Sequence, residues 1–254
     1  MNPPSRWAIA SAALGAGTLT VAWRFLTFPG FNNDHYVHLA RAQQMLFGEW
    51  PVRDFVDPGM PFMYVVHAAA RAALGSALGV EWAVVAAGFA IGAVCTVIAA
   101  CRLSGSISVA LLVTAFEVAL NPRSFGYPKI LLYAVASLVI IAMARRFAVH
   151  AIVGAAVMTV VAFLFRHDHG VFVGIASLAA IVVGSRHDGW RRGLQRSSIF
   201  SAAVIVLLLP WLLFVQYYQG LAAYASSAVA FSRGEAVEHG LRMVPRFQDR
   251  KSVV

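Results

Sequence analysis

Charge is scarce in this sequence: 12% of its 254 residues are Asp, Glu, Lys or Arg, about half the share found in ordinary soluble domains. With 60% hydrophobic residues and a mean hydropathy of +0.73, that scarcity excludes a water-soluble globular domain and points to an integral membrane protein. Cysteine is scarcer still. The two present, Cys95 and Cys101, lie six positions apart in one apolar run, too distant along a helix for a disulfide, and read as packing residues. Three further absences narrow the class. The net charge of +9 comes from arginines scattered between apolar runs, with no aromatic-interleaved basic patch, which excludes nucleic acid as a partner. No small-residue cleavage site follows the first apolar run, so that run reads as an uncleaved anchor and not as a signal peptide. No internal repeat is visible and the charges cluster at span ends, which counts against a secondary transporter.

What is present is a series of apolar runs separated by short polar loops. Residues 7–28 are long enough to cross the hydrocarbon and form the first span, with a cytoplasmic N-terminus. Residues 31–64 then gather four acids, Asp34, Glu49, Asp54 and Asp57, with two histidines and two arginines. Charges at bilayer depth cost several kcal/mol apiece, so this stretch belongs in water beside the membrane. Within it Tyr36, Leu39, Ala40, Met45 and Leu46 recur near helical spacing while His38, Arg41 and Gln44 fall largely elsewhere, which predicts a helix lying in the interface. After the Pro58-Gly59-Met60-Pro61 turn, residues 62–78 carry His67 and Arg71 four apart, on a face expected to stay wet. That segment is expected to lie along the outer surface.

Six further spans follow, at about 80–101, 107–120, 130–144, 151–165, 171–184 and 199–217. The expected fold is therefore all-α and polytopic, with about seven spans plus interfacial helices. Its parts are an anchor at 1–28, a first outer loop at 29–79, a bundle at 80–217 and the start of another outer loop at 218–248. This parity leaves Arg6, Arg102, Arg145-Arg146 and the Arg186, Arg191, Arg192, Arg196 cluster on the cytoplasmic side, as short basic loops prefer. It also brings three polar loops to the outer face: the one holding Asp34, the one from Asn121 to Lys129, and Arg166-His167-Asp168-His169-Gly170.

These residues carry a resemblance. An anchor span, an outer loop opening with Asp34 and Tyr36, a helix ending in Leu46-Phe47-Gly48-Glu49, then Pro51-Val52-Arg53-Asp54-Phe55 before a Pro-rich turn into Met63-Tyr64 resemble the glycosyltransferase C superfamily. The likeness is to its protein O-mannosyltransferase and aminoarabinose transferase branch and covers mainly residues 7–133. It implies a polytopic membrane enzyme of the bacterial plasma membrane and cell envelope, with a polyprenyl-phosphate sugar as donor and a lipid, glycan or protein as acceptor. It implies that Asp34 activates the acceptor. Where the family often has a second acid, this chain has His35. Where many members have an acid in the second outer loop, it has Tyr127-Pro128-Lys129.

Inverting sugar transfer needs a carboxylate to take the acceptor proton and cations to hold the departing phosphate. Asp34 fits the first role, with His35 and Asp168 as further catalytic candidates. Arg123, Lys129 and Arg166 fit the second. Glu117, Tyr36, His167 and His169 are additional candidates, and Asp34, Asp168 and His169 are the candidate ligands if a divalent ion takes part. Each has a plainer alternative. Asp34 can cap the interfacial helix, Asp168 can be a solvated loop residue paired with Arg166, and Asp54 and Asp57 read as turn and capping residues. The class alternative is a non-catalytic or transporter-like protein of envelope polymer handling. Finally, Asp249 to Val254 reads as the in-frame translation of a sequencing adapter, so the gene is expected to continue beyond this N-terminal fragment.

Overall fold

The computed structural model describes residues 4–28, 30–31, 33–120 and 126–243. Among them the chain forms ten α-helices and no strand. These are α1 (Arg6–Leu26), α2 (Asn33–Leu46), α3 (Pro61–Leu74), α4 (Leu78–Ser104), α5 (Ile107–Leu120), α6 (Tyr127–Arg146), α7 (Val149–Phe165), α8 (His167–Ser185), α9 (Trp190–Tyr218) and α10 (Leu221–Met243). The all-helical class expected from composition is the one observed. Local chemistry sets the ends. Ser5 caps α1 by accepting from the Ala8 N–H at 3.2 Å. Pro61 opens α3, where its missing N–H costs nothing. Gly105, at φ 69°, ends α4 in the left-handed conformation that glycine tolerates best.

Among the described residues five helices, α1, α4, α6, α8 and α9, are long and apolar enough to cross a membrane. The expected count of about seven spans is not supported. The segments expected at 107–120 and 151–165 do form helices, but α5 has 14 residues and α7 has 17. At 1.5 Å per residue these rise about 21 and 26 Å, short of a hydrocarbon core of about 30 Å. The segment expected on the surface is shorter than anticipated, α3 having 14 residues.

Helix α4 is the hub, with α1, α5, α6 and α3 all against it; α6 continues the row to α7 and α8, and α9 packs on α7 and α8. Small residues permit the close approaches. A Cβ on Gly17 would stand 2.8 Å from Val94, one on Gly92 2.8 Å from Ile130, and one on Gly88 would strike the Tyr127 ring. Two cores result. One gathers Phe55, Tyr64, Phe89, Tyr127 and Phe165 where the first loop meets the bundle, and the other gathers Met143, Ile152, Ile181 and Phe200 at the opposite end. Only 11% of the most apolar window of α9 is buried, and side chains such as Val206 and Leu213 face outward, as a lipid-facing helix requires.

The first loop is the main departure from expectation. Helix α2 packs on α3, and α3 packs on α4 and α7. The face α2 buries is made of His35, His38, Leu39 and Ala42; of the apolar positions named from the sequence, Leu39 is buried and Met45 packs against the core, while Tyr36, Ala40 and Leu46 are exposed. The expected wet face of α3 is inverted, since His67 is 1% exposed. Arg71 reaches α2 instead, donating to Leu39 O at 3.3 Å and Gln43 Oε1 at 2.8 Å. Histidines turn inward here because a carboxylate waits for them.

Candidate functional site

That carboxylate is Glu81, in the first turn of α4 and 1% exposed. His35 of α2 sets its Nδ1 3.3 Å from Oε1, and His67 of α3 pairs its Nδ1 with Oε2. With Glu81 ionised, both Nδ1 atoms carry the hydrogen, and His67 Nε2 is left to accept from the Tyr127 hydroxyl of α6 at 3.3 Å. The His38 ring stacks on that of His67 with 5.9 Å between centroids. Burial, and then the neighbouring His67, push the His38 imidazole down to about 3, so it stays neutral. One carboxylate thus ties both interfacial helices to the bundle. Sequence analysis passed over Glu81. The available signal was an acid standing at the head of a 27-residue apolar helix, since an ionisable group in such a place needs a partner or a purpose.

Asp34 opens α2. It is exposed, and among the described residues it makes no hydrogen bond or ion pair. Its neighbour His35 is fully buried on the Glu81 side and packs edge-on against Phe31, so the two adjacent candidates face different surroundings. Tyr36 is exposed. The local cause is simple: successive helix positions differ by about 100°, and burial of His35 sends Asp34 to water.

The α7–α8 turn divides the Arg166-His167-Asp168-His169 run. Arg166 and Asp168 are both about half exposed and paired, Nε to Oδ1 at 3.1 Å. Asp168 also accepts from the His169 backbone N–H at 2.9 Å. His169 is buried, with Nδ1 3.0 Å from the Tyr133 hydroxyl of α6. Lys129 is exposed one helical turn before Tyr133, which places a cation, a phenol, an imidazole and an Arg–Asp pair along one seam between α6 and α8. The plainer expectation for Asp168, a loop carboxylate paired with Arg166, describes its contacts.

His167 leaves this seam. Its ring stacks on Phe163 at 4.2 Å, and its Nε2 lies 3.1 Å from the Tyr224 hydroxyl of α10. Tyr224 donates to Asp57 Oδ2 at 2.8 Å, and Asp57 Oδ1 accepts from the Gly59 and Met60 N–H groups. The polarity of the chain follows: His167 Nε2–H donates to the tyrosine oxygen, whose own hydrogen goes to the carboxylate. Burial raises the Asp57 carboxyl, partly offset by the Met60 N–H and the Tyr224 hydroxyl. Its place in a turn is as the sequence suggested, and so is that of Asp54, which the Trp50 N–H and then Arg53 hold below the usual carboxylate range.

The remaining candidates are placed apart. Glu117 sits in the last turn of α5 and is hydrogen-bonded by Thr96, in the body of α4 and away from the first loop. Arg123 lies outside the described residues, as does most of its loop. Among the described residues no group of three or more His, Cys, Asp or Glu side chains is arranged to hold a metal ion. The pair Asp168 and His169 meets, at 3.5 Å, but Asp34 does not join it. No protein-family model, curated protein or solved structure matches this chain.

Proposed function

We propose that the protein is a membrane glycosyltransferase that moves a sugar from a polyprenyl-phosphate donor to a lipid, glycan or protein acceptor at the outer face of a bacterial plasma membrane. The observation that carries this reading is the water-facing carboxylate of Asp34, without a hydrogen bond or ion pair among the described residues, at the head of a helix whose next residue, His35, is fastened to the bundle through Glu81. A general base must be accessible, and the exposure of Asp34 supports that role. In the proposed reaction the acceptor oxygen bonds to the anomeric carbon as the carbon–phosphate oxygen bond breaks. The acceptor proton passes to Asp34 and the bonding electrons leave with the phosphate. Lys129 and Arg166, the latter exchanging part of its Asp168 contact, are the described cations suited to that phosphate. Arg123 belongs to the same proposal on sequence grounds. The donor tail would lie in the bilayer beside the apolar helices.

The test uses membranes carrying the full-length protein and a lipid-linked sugar. Asp34→Asn is expected to lower transfer about 10²–10⁴-fold, the usual loss on removing a general base, with expression and insertion unchanged because the exposed side chain supports no packing. Turnover near the wild-type rate would remove Asp34 from catalysis. One observation favours the second reading, a transporter-like protein of envelope polymers: the ionisable network of Glu81, His35 and His67 is buried inside the helical body. Absence of any transfer by the wild-type protein, joined to proton-coupled movement of an envelope glycan that Glu81→Gln abolishes, would install that reading instead.

A further inference from the structure

At the end of the bundle opposite the first loop, arginine outnumbers its partners. The α6–α7 turn and the α8–α9 turn meet there: the Phe147 ring lies against Gly184, and the Arg196 guanidinium stands 4.7 Å over that ring. The single carboxylate of the two turns, Asp188, is taken by Arg196 Nη1 at 2.6 Å, and the same nitrogen donates to Ser185 at 2.9 Å. Arg196 is therefore a structural staple. Arg145, Arg146, Arg191 and Arg192 are exposed, and among the described residues no carboxylate pairs with any of them.

The surroundings say what anion suits this surplus. These arginines stand at the ends of α6 and α9, and with α8 these are three of the five helices long and apolar enough to cross a membrane. Within a turn or so of the basic residues the flanks are bare hydrocarbon: Val182 and Val183 on α8 and Leu194 on α9 are each 58–59% exposed, and Trp190, which begins α9, is 74% exposed. A soluble polyanion would satisfy the arginines and leave those flanks wet. An amphiphile whose phosphate meets the guanidinium groups and whose chains cover the flanks satisfies both, with Trp190 at the boundary between them.

We propose that the α6–α7 and α8–α9 turns together form a binding surface for the headgroups of anionic phospholipids. The surface is independent of the glycosyl-transfer reading and operates whether or not that reading holds. The test is to reconstitute the full-length protein in nanodiscs of equimolar phosphatidylglycerol and phosphatidylcholine, release it, and measure the retained lipids by native mass spectrometry. Wild type is expected to retain phosphatidylglycerol over phosphatidylcholine by about fivefold or more, an advantage that fades with salt. Replacing Arg145, Arg146, Arg191 and Arg192 together with Gln should bring the ratio to about one, whereas replacing the same four with Lys should preserve most of it, because a headgroup responds to charge. Arg233→Gln, on α10, is the control and should change nothing. Equal retention of the two lipids by wild type would overturn the proposal, as would a preference that survives the four Gln substitutions. Displacement of the lipid by millimolar inorganic phosphate would overturn it too, since it would mark a site for the free anion. Should the Gln variant fail to insert, Arg191→Gln with Arg192→Gln alone decides: an unchanged ratio refutes the proposal and a reduced one supports it.

Discussion

Glu81 joins four helices through side chains that are almost entirely out of water, and a buried ion pair is costly chiefly when one member is removed. Glu81→Ala would leave His35 and His67 facing a cavity without the acceptor for either Nδ1 hydrogen. A loss of about 3–5 kcal/mol is expected, read as a fall in the unfolding midpoint in detergent, with Glu81→Gln losing less because its amide oxygen still accepts one hydrogen bond. A midpoint unchanged in the alanine variant would mean the network contributes nothing to the fold. His38 adds a pH dependence whose sign is fixed. Its folded value of about 3 lies below the ordinary 6.5, so the unfolded chain binds the proton first as pH falls. Stability associated with His38 is complete above about pH 6.5 and declines toward pH 3 by up to about 1.4 kcal/mol per unit. Asp57, raised in the fold, acts in the opposite sense over the acid range, holding its proton to higher pH folded than unfolded. The comparison is therefore between wild type and His38→Gln, in which the Asp57 contribution cancels. The variant should show a shallower fall in thermal midpoint between about pH 7 and pH 4, and parallel curves would exclude His38 as the source.

Among the elements, α10 is held in an unusual way. It packs on α9 and reaches the first loop through Tyr224, which closes a small apolar cluster with Val52 and Val215 besides bonding Asp57 and His167. Val52 has φ 73°, a strained value for a β-branched residue that persists only where its surroundings hold it. The contact through Tyr224 is thus an anchor for the helix and a clamp on the loop. Tyr224→Phe keeps the ring and deletes the hydroxyl, leaving a buried carboxylate with two donors in place of three. The expected cost is about 1–3 kcal/mol, with earlier protease cleavage at the Gly220 hinge between α9 and α10. Unaltered cleavage would show that α10 is held by other contacts.

At the scale of the whole molecule, the two ends of the bundle differ in charge and in chemistry. The loop end collects Asp34, Glu81, Asp57, Asp168 and five buried or half-buried histidines. The opposite end collects the arginines of the α6–α7 and α8–α9 turns. Basic turns remain on the cytoplasmic side in most membrane proteins. Cysteines introduced at Asn33 and Gly126 are accordingly expected to react with an impermeant thiol reagent in intact cells, and one at Gly189 only after permeabilisation. Reaction at Gly189 from outside would invert the arrangement and remove Asp34 from the outer face.

The sequence by itself determined the class of fold, because hydropathy over windows of about 20 residues is a local property that lipid selects for directly. It also marked the polar stretch that caps the bundle, and it placed the Asp54 and Asp57 turns, whose partners lie a few residues away. Its count of about seven spans is not supported by helix length, because apolar composition does not record how far a helix extends, and among the described residues α5 and α7 have 14 and 17 residues. It did not show that α2 would bury His35 and His38, because helical periodicity marks apolar positions and not histidines that have a partner. Only the tertiary structure could bring Glu81 within reach of His35 and His67, 46 residues from the first, or Tyr224 to Asp57 across a separation of 167. The physical reason is that a buried charge is tolerable only beside its partners. The identity of those partners is settled by how helices distant in sequence pack, and no spacing within the chain records it.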